Sequence, residues 1–252
     1  MFKQSIISRA LQIAVIRIGL VATLAGIVSY IVNSYQISKA IHEQLLLSTQ
    51  ERLISESQPF KEIKKIHRNY LAEFKSIYSK PERCQELIRD FDKFFFIRPK
   101  DNSYQERPEI FNGSVCVNGN YYSETSASFP PDTPITDDIK IRLSLSFMLN
   151  HNYGVMTANI FFNFYTSIPE SGWTSYWLGH HDSVLDNYND PNYIKLEDLE
   201  WFQRSYSPNG PGSAFTNMYF DPTMKLWMIS ILSFGENISG QKQLYSVRTD
   251  FV

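Results

Sequence analysis

The chain has 252 residues, which is enough for one large domain or two small ones. Because 43% of the residues are hydrophobic and only 20% are charged, the composition predicts a packed core and excludes a disordered chain. The formal net charge of -2 gives no reason to expect a polyanionic partner, so nucleic acid is not predicted as a partner.

The first predicted element is a membrane anchor. Residues 18–35 are uncharged and about long enough to cross a bilayer at ~1.5 Å per residue. Three cationic residues precede this segment: Lys3, Arg9 and Arg17. The next cation is Lys39, so the positive-inside rule predicts that residues 1–17 are cytoplasmic and that residues 36–252 lie in the periplasm or outside the cell.

A cleavable signal peptide is the alternative reading of this segment. Its cleavage site would carry small residues in an A-x-A-like pattern, which the sequence SYIVNSY does not supply. We therefore expect an uncleaved, single-pass anchor in the inner membrane, with the lipid bilayer as its partner. Ala22 and Gly26 form a small-xxx-small pair through which two anchors can pack, so a homodimer through the anchor and the stalk is expected.

Helical runs follow the anchor. Ile37, Ile41 and Leu45 have helical spacing, which predicts a stalk helix that ends at Pro59. Two further helical runs carry the sequences FKEIKKIHRNYLAEFKSIYS and PERCQELIRDFDKF, and the second begins with a proline in the favourable first position. Residues 36–93 are therefore predicted to form the stalk and the helices that pack on a sheet.

From residue 94 the hydrophobic period changes to that of strands, so residues 94–252 are predicted to form the sheet domain. Short β-branched or aromatic runs are bounded by Gly, Pro, Asn and Asp, which is typical of antiparallel strands. The predicted strand runs are FFFIR, EIFNGSVCVNGNYY, IRLSLSFML, VMTANIFFNFY, LWMISILSF and QLYSVRTDF. Two Asn-Gly pairs predict hairpin turns, and YIKLEDLEWFQRSY is predicted to be partly helical. Helices followed by a meander-like sheet define an α+β fold.

The motifs of common enzymes are missing from the sequence. It contains no Gly-rich phosphate loop, no H-E-x-x-H and no G-x-S-x-G nucleophile turn, so the chain is not predicted to be an enzyme and no cofactor is predicted. His180, His181 and Asp182 form the densest group of potential metal ligands, but adjacent ligands point in different directions. We interpret them as a surface loop and predict no metal site.

The two cysteines, Cys84 and Cys116, are expected to meet an oxidising environment outside the cytoplasm. A disulfide between them is predicted, with a stabilisation of roughly 3–4 kcal/mol from loop closure. Two unpaired cysteines that act as small hydrophobic residues, and a redox-sensing pair, are the alternatives.

The C-terminal stretch YFDPTMKLWMISILSF, followed by a Gly-containing turn and LYSVRTDF, resembles the closing strands of Cache-type extracellular sensor domains. Trp201 and Phe202 resemble the aromatic pair of that family on the segment that covers the ligand pocket. The resemblance implies a Cache/PAS-like domain with a central antiparallel sheet that binds a small molecule. It also implies that Trp201, Phe202, Tyr219, Asp221 and Asp250 line or brace the pocket.

One position departs from the family pattern. Amino-acid-binding members place an arginine two residues before the tryptophan, where this chain has Leu199, and Arg204 is out of register. A cation, an amine or another small molecule therefore stays open as the ligand. The arrangement of the two cysteines resembles the periplasmic input regions of cyclic-di-GMP-signalling enzymes.

The expected function is a periplasmic ligand-sensing input module of a bacterial signal transducer of the diguanylate cyclase type. The sequence contains no G-G-D-E-F or E-A-L signature, so the output domain is expected to be absent from this chain. The alternative is a membrane-anchored envelope protein with a binding domain and no signalling role.

Overall fold

A computed structural model describes residues 6–177, 195–206, 213–221, 225–236 and 243–251. The chain divides into two compact units, Met1–Gln58 and Pro59–Val252.

The first helix, α1 (Ile6–Tyr78), contributes to both units. Its large apolar side chains between residues 8 and 57 are exposed, and among the described residues it is the one helix that is long and apolar enough to cross a membrane. The prediction that Pro59 ends the stalk helix is wrong, because the helix continues through it. A proline removes one backbone N–H, here the partner of the Ser55 carbonyl, whereas the other bonds of a 73-residue helix are kept.

The remaining helices are short or buried. They are α2 (Pro81–Phe94), α3 (Pro108–Phe111), α4 (Asp137–Thr157) and α5 (Glu200–Ser205), with a 3₁₀ turn at Leu196–Asp198. The prediction of a helix that begins at Pro81 is confirmed. In the second unit α1 buries Ile63, Ile66, Tyr70 and Phe74, whose spacing of three and four residues places them on one helix face.

Nine strands form one antiparallel sheet in the described part of the chain. They are β1 (Phe95–Ile97), β2 (Tyr104–Glu106), β3 (Thr125–Phe129), β4 (Asn163–Ser167), β5 (Trp173–Tyr176), β6 (Ser213–Phe215), β7 (Tyr219–Asp221), β8 (Leu226–Glu236) and β9 (Gln243–Phe251). The order is β1-β2-β3-β5-β4-β9-β8-β6, and β7 also pairs with β8. The predicted α+β class with a central antiparallel sheet is confirmed.

The sheet has a different cover on each face. On the face that packs against α1, α2 and α4, the strands contribute Phe164, Ile231 and Val247 to the main aromatic core. On the opposite face, strand residues and residues of the 3₁₀ turn and α5 together form a smaller aromatic cluster. It contains Tyr165, Trp173, Leu196, Trp201, Phe202, Leu232 and Phe234. We call these the helix face and the α5 face.

The helix face also carries buried polar contacts between α1 and three neighbouring strands, β4, β9 and β8. The imidazole of His67 lies 3.0 Å from the Ser233 hydroxyl through Nδ1 and 2.9 Å from the Thr249 hydroxyl through Nε2. One turn further along α1, the Tyr70 hydroxyl lies 2.9 Å from Thr166 Oγ1. The helix is therefore tied to β4, β8 and β9 by hydrogen bonds as well as by apolar packing.

Two predicted strand runs are wrong. IRLSLSFML lies within α4, which begins after Thr136, whose side chain accepts a hydrogen bond from the Ile139 N–H. The alternation of Leu and Ser has the period of a strand and therefore misled the prediction. In the structure, both the apolar side chains and the serines between them are buried in the helix. EIFNGSVCVNGNYY forms α3 and a tight turn, in which Asn118 and Gly119 have positive φ between the bridged residues Val117 and Asn120.

The predicted disulfide is not present, since both cysteines in the described structure are free thiols. Cys84 lies in the first turn of α2, where its Sγ donates to the Tyr78 carbonyl at 3.3 Å. The turn near Cys116 instead meets α2 at Asp90, which accepts from Asn118 Nδ2 at 2.8 Å. Asp90 is six residues beyond Cys84, or about 9 Å along the helix axis, and a disulfide requires the two Cα atoms within about 7 Å.

Close contact between α4 and β5 depends on Gly154. A Cβ atom at this position would lie 2.3 Å from the ring of Tyr176. We expect Gly154→Ala to lower the free energy of unfolding by about 1–3 kcal/mol through overpacking, although alanine favours a helix by about 1 kcal/mol. Urea unfolding of the full chain measures the change. Asn152→Ala, at an exposed position of the same helix, should change the stability by less than about 0.5 kcal/mol; equal stabilities for the two variants would contradict the close contact.

Candidate functional site

Strand register gathers polar side chains on the α5 face. Asn163 of β4 pairs with Asp250 of β9, which in turn pairs with Ser230 of β8. In the neighbouring row, Tyr165 of β4 pairs with Arg248. Since side chains alternate between the two faces of a strand, residues two apart on β4 and β9 share this face.

Asp250 is the centre of the polar group and is fully buried. Its Oδ2 accepts from Asn163 Nδ2 at 2.7 Å and from Arg248 Nη2 at 3.0 Å. Its Oδ1 accepts from the Ser230 hydroxyl at 2.5 Å and from the Tyr219 hydroxyl at 3.4 Å. Four donors around the two oxygens match the acceptor capacity of an ionised carboxylate.

Arg248 connects this polar group to the aromatic cluster. Its residue is 4% exposed, and its guanidinium carbon lies 4.1 Å from the centroid of the Trp201 ring and 4.5 Å from that of Tyr165. These are cation–π distances, and desolvation strengthens such contacts. Within the described residues, Nε and Nη1 of Arg248 are buried and have no hydrogen-bond partner.

Helix α5 places Trp201 above the sheet. A helix of six residues is too short to be stable alone, so its position is set by packing. Phe202 packs against Tyr206 with the rings tilted and their centroids 4.7 Å apart. The Tyr206 hydroxyl donates to the Ser167 carbonyl at 2.6 Å, which ties the end of α5 to β4. The aromatic cover is thus fixed by polar as well as apolar contacts.

The electrostatics of the site follow from burial and from the charged pair. Burial raises the pKa of Tyr219 to about 12; the positive charge of Arg248 opposes this rise, and the carboxylates of Asp250 and Asp221 add to it. Burial alone would lower the pKa of Arg248, but the neighbouring Asp250 carboxylate raises it above the usual value. Tyr219 is therefore a neutral hydrogen-bond donor and Arg248 a permanent cation.

The structure brings together most of the five residues that the resemblance implied. Trp201 and Phe202 are buried side by side on α5, with ring centroids 5.9 Å apart. Tyr219 and Asp250 are joined directly, whereas Asp221, at the end of β7, is half-buried and acts on Tyr219 and Arg248 through its charge.

Leu199, at the position where the resemblance implied an arginine in amino-acid-binding sensor domains, packs half-buried against the aromatic cluster. The guanidinium of the site comes instead from Arg248, which the sequence reasoning did not select. Asn163 and Ser230 were also missed. A usable signal was present in β9, where the polar residues Ser246, Arg248 and Asp250 recur with period two in an otherwise aromatic and β-branched strand.

In the described ranges of the chain, no three residues among His, Cys, Asp and Glu lie close enough together to hold a metal ion. His180, His181 and Asp182, which we interpreted as a surface loop, lie outside the described residues.

No protein-family model matches the chain, and no curated protein does. Two solved structures are similar to it, both of the ligand-binding domain of the Pseudomonas fluorescens chemoreceptor CtaA. The complex with L-isoleucine has 17% identity and a TM-score of 0.29, over 38% of this chain and 35% of that one. The complex with L-serine has 16% identity and a TM-score of 0.29, over 43% and 40%. The chain thus matches less than half of the length of that receptor domain.

Proposed function

We propose that the chain is the ligand-sensing input module of a membrane-anchored bacterial signal transducer. The observation that carries this proposal is the covered polar group on the α5 face, where Trp201 lies over Arg248 and Asp250 is buried beside Tyr219. Small-molecule sites combine apolar and aromatic walls with a few placed polar groups. Burial of this polar set costs free energy through desolvation, and a ligand-binding role would account for that cost.

The location of the module is part of the proposal. Residues 18–35 form the apolar part of α1 that would cross the inner membrane, and the positive-inside rule assigns residues 36–252 to the periplasmic side. Ala22 and Gly26 support a homodimer through the anchor and the stalk, because small residues let two membrane helices approach closely.

We propose cyclic-di-GMP synthesis as the output that the module controls, and no catalytic activity for the chain itself. The resemblance of the Cys84 and Cys116 arrangement to such input regions supports the first part, and the lack of catalytic motifs supports the second. Cyclic-di-GMP measured in cells that carry the full-length gene product, with and without a bound compound, tests this output. An unchanged cyclic-di-GMP level would show that the module does not control this output.

Ligand binding should raise the unfolding temperature of the full chain in lipid nanodiscs. We expect a screen of small metabolites to yield one chemical class that raises it in a concentration-dependent manner. Trp201→Ala should weaken the apparent affinity for that class at least tenfold, because the variant opens the aromatic cover above Arg248.

Trp227→Ala is the matched control for this measurement. Trp227 is 59% exposed on β8, with its side chain on the helix face, so its loss should leave the affinity unchanged. Equal affinities of the Trp201→Ala variant and the unaltered chain would reject the α5 face as the site.

The alternative function, an anchored envelope protein that binds another macromolecule, is favoured by one feature. Phe220 and Trp227 lie 5.7 Å apart between ring centroids and are 48% and 59% exposed. An exposed aromatic pair of this kind is typical of protein contacts. Crosslinking at Trp227 in intact cells tests this alternative, because a reproducible partner together with no small-molecule response would favour it over sensing.

A further inference from the structure

The guanidinium of Arg248 can be approached by a further partner only near its own plane. The rings of Trp201 and Tyr165 lie 4.1 and 4.5 Å from the guanidinium carbon, measured from the ring centroids. Asp250 accepts from Nη2 at 3.0 Å, whereas Nε and Nη1 have no partner in the described ranges. Nε and Nη1 lie on different edges of the guanidinium, so one carboxylate can bind one of them, near the plane, as carboxylates do.

A second buried arginine shows how this fold satisfies such a group. Arg142 of α4 is 3% exposed, and its Nε donates to Asp138 at 2.9 Å. Its two Nη atoms donate to Glu170, each at 2.7 Å. Arg142 thus holds two carboxylates, whereas Arg248 holds one. Because an unfilled buried donor carries its full desolvation cost, the contrast indicates a missing anionic partner at Arg248.

The neighbouring Asn163 has a buried acceptor that needs a hydrogen-bond donor. Its Nδ2 donates to Asp250, which fixes the amide orientation, since a flipped amide would turn its oxygen toward the carboxylate. Its Oδ1 is then a buried acceptor without a partner in the described residues. Asn163 and Arg248 are diagonal neighbours on adjacent strands, a relation that usually separates Cβ atoms by about 7–8 Å.

We propose that the site takes a small organic acid whose carboxylate binds Arg248 at Nη1, on the edge that Glu170 binds in Arg142, and whose N–H or O–H group donates to Oδ1 of Asn163. This inference rests on the proposed function and names the ligand class of the same site. Arg248 would then hold two carboxylates, as Arg142 does, and the ligand would satisfy both kinds of unfilled buried atom.

The experiment uses the full chain in nanodiscs at constant ionic strength, with 2-hydroxy and 2-amino acids of two to six carbons as probes. Each acid is paired with its primary amide, which lacks only the negative charge. We expect at least one acid to bind and its amide to bind at least tenfold more weakly. Arg248→Lys keeps a charge beside Asp250 but loses the planar donors, so it should weaken binding of the acid at least tenfold.

Arg142→Lys is the matched control, because it alters an equally buried arginine away from the proposed contacts and should leave the affinity unchanged. Equal binding of acid and amide, or full affinity in Arg248→Lys, overturns the inference. Where Arg248→Lys fails to fold, the comparison of acid and amide on the unaltered chain decides.

The outcome also separates this inference from the proposed function. If only neutral or cationic compounds bind, and Trp201→Ala abolishes that binding, the anionic ligand class is wrong but the proposed sensing function stands. Binding of no compound of any charge overturns both.

Discussion

Asp250→Ala should lower the free energy of unfolding by about 3–5 kcal/mol, because it leaves a buried cation without its counter-ion. Asp250 is 0% exposed and Arg248 is 4% exposed, so water cannot replace the lost carboxylate. The substitution also removes the acceptor of Asn163 Nδ2 and of the Ser230 hydroxyl. Urea unfolding of the full chain measures the change, through the midpoint and the slope.

A second buried aspartate provides the control. Asp90 of α2 is 3% exposed, but its cationic partners Arg89 and Lys93 have side chains that are 70% and 54% exposed. Solvated partners lose little when a carboxylate is removed, so Asp90→Ala should cost only about 1–2 kcal/mol. The double variant Asp250→Ala/Arg248→Met should recover part of the lost stability, since no buried charge is left. Equal costs at Asp250 and Asp90 would contradict the buried ion pair.

The stability of the chain should fall in mild acid because of His67. Burial lowers the pKa of His67 from 6.5 to about 3, so the folded state holds the neutral imidazole. Its contribution is fully present above pH 6.5 and decreases as the pH falls toward about 3, because the unfolded chain binds a proton that the folded chain excludes. Between pH 7 and pH 5 this group should remove about 2 kcal/mol from the free energy of unfolding.

His67→Gln is the variant that isolates this effect. Glutamine can hydrogen-bond to Ser233 and Thr249 but does not titrate, so its stability should lack this part of the pH dependence. Burial also lowers the pKa of His151, and its contribution cancels when the two chains are compared at each pH. Parallel stability curves for the two chains between pH 7 and pH 5 would show that His67 is not held neutral by the fold.

The sequence predicted those elements that are buried on one side only, or whose ends carry cap or turn residues. The helix that begins at Pro81 and the long strands β8 and β9 were predicted, since a proline cap, turn residues and β-branched runs are local signals. Helix α4 was missed because it is buried around most of its circumference and therefore lacks a polar face. The continuation of α1 through Pro59 was missed because one lost hydrogen bond does not end a long helix.

The candidate site was less predictable than the fold. The resemblance pointed to Trp201 and Asp250, which are close to the short motifs that carried it. Arg248 is recognised as a candidate site residue only once strand pairing places it beside Tyr165 and α5 places Trp201 over it. Such a juxtaposition depends on which strands pair, and β4 and β9 are distant in sequence, so the pattern within either strand does not identify its partner.

Strand β9 has an arrangement that bears on how binding would be relayed. Arg248 and Asp250 belong to the α5 face, whereas Thr249, between them, is held by His67 of α1. Residues 245–250 are buried throughout, so packing on both faces restricts the movement of their side chains. A displacement of Arg248 on ligand binding would therefore shift the backbone of β9. Because the next residue, Thr249, is hydrogen-bonded to His67, the shift would also reach α1.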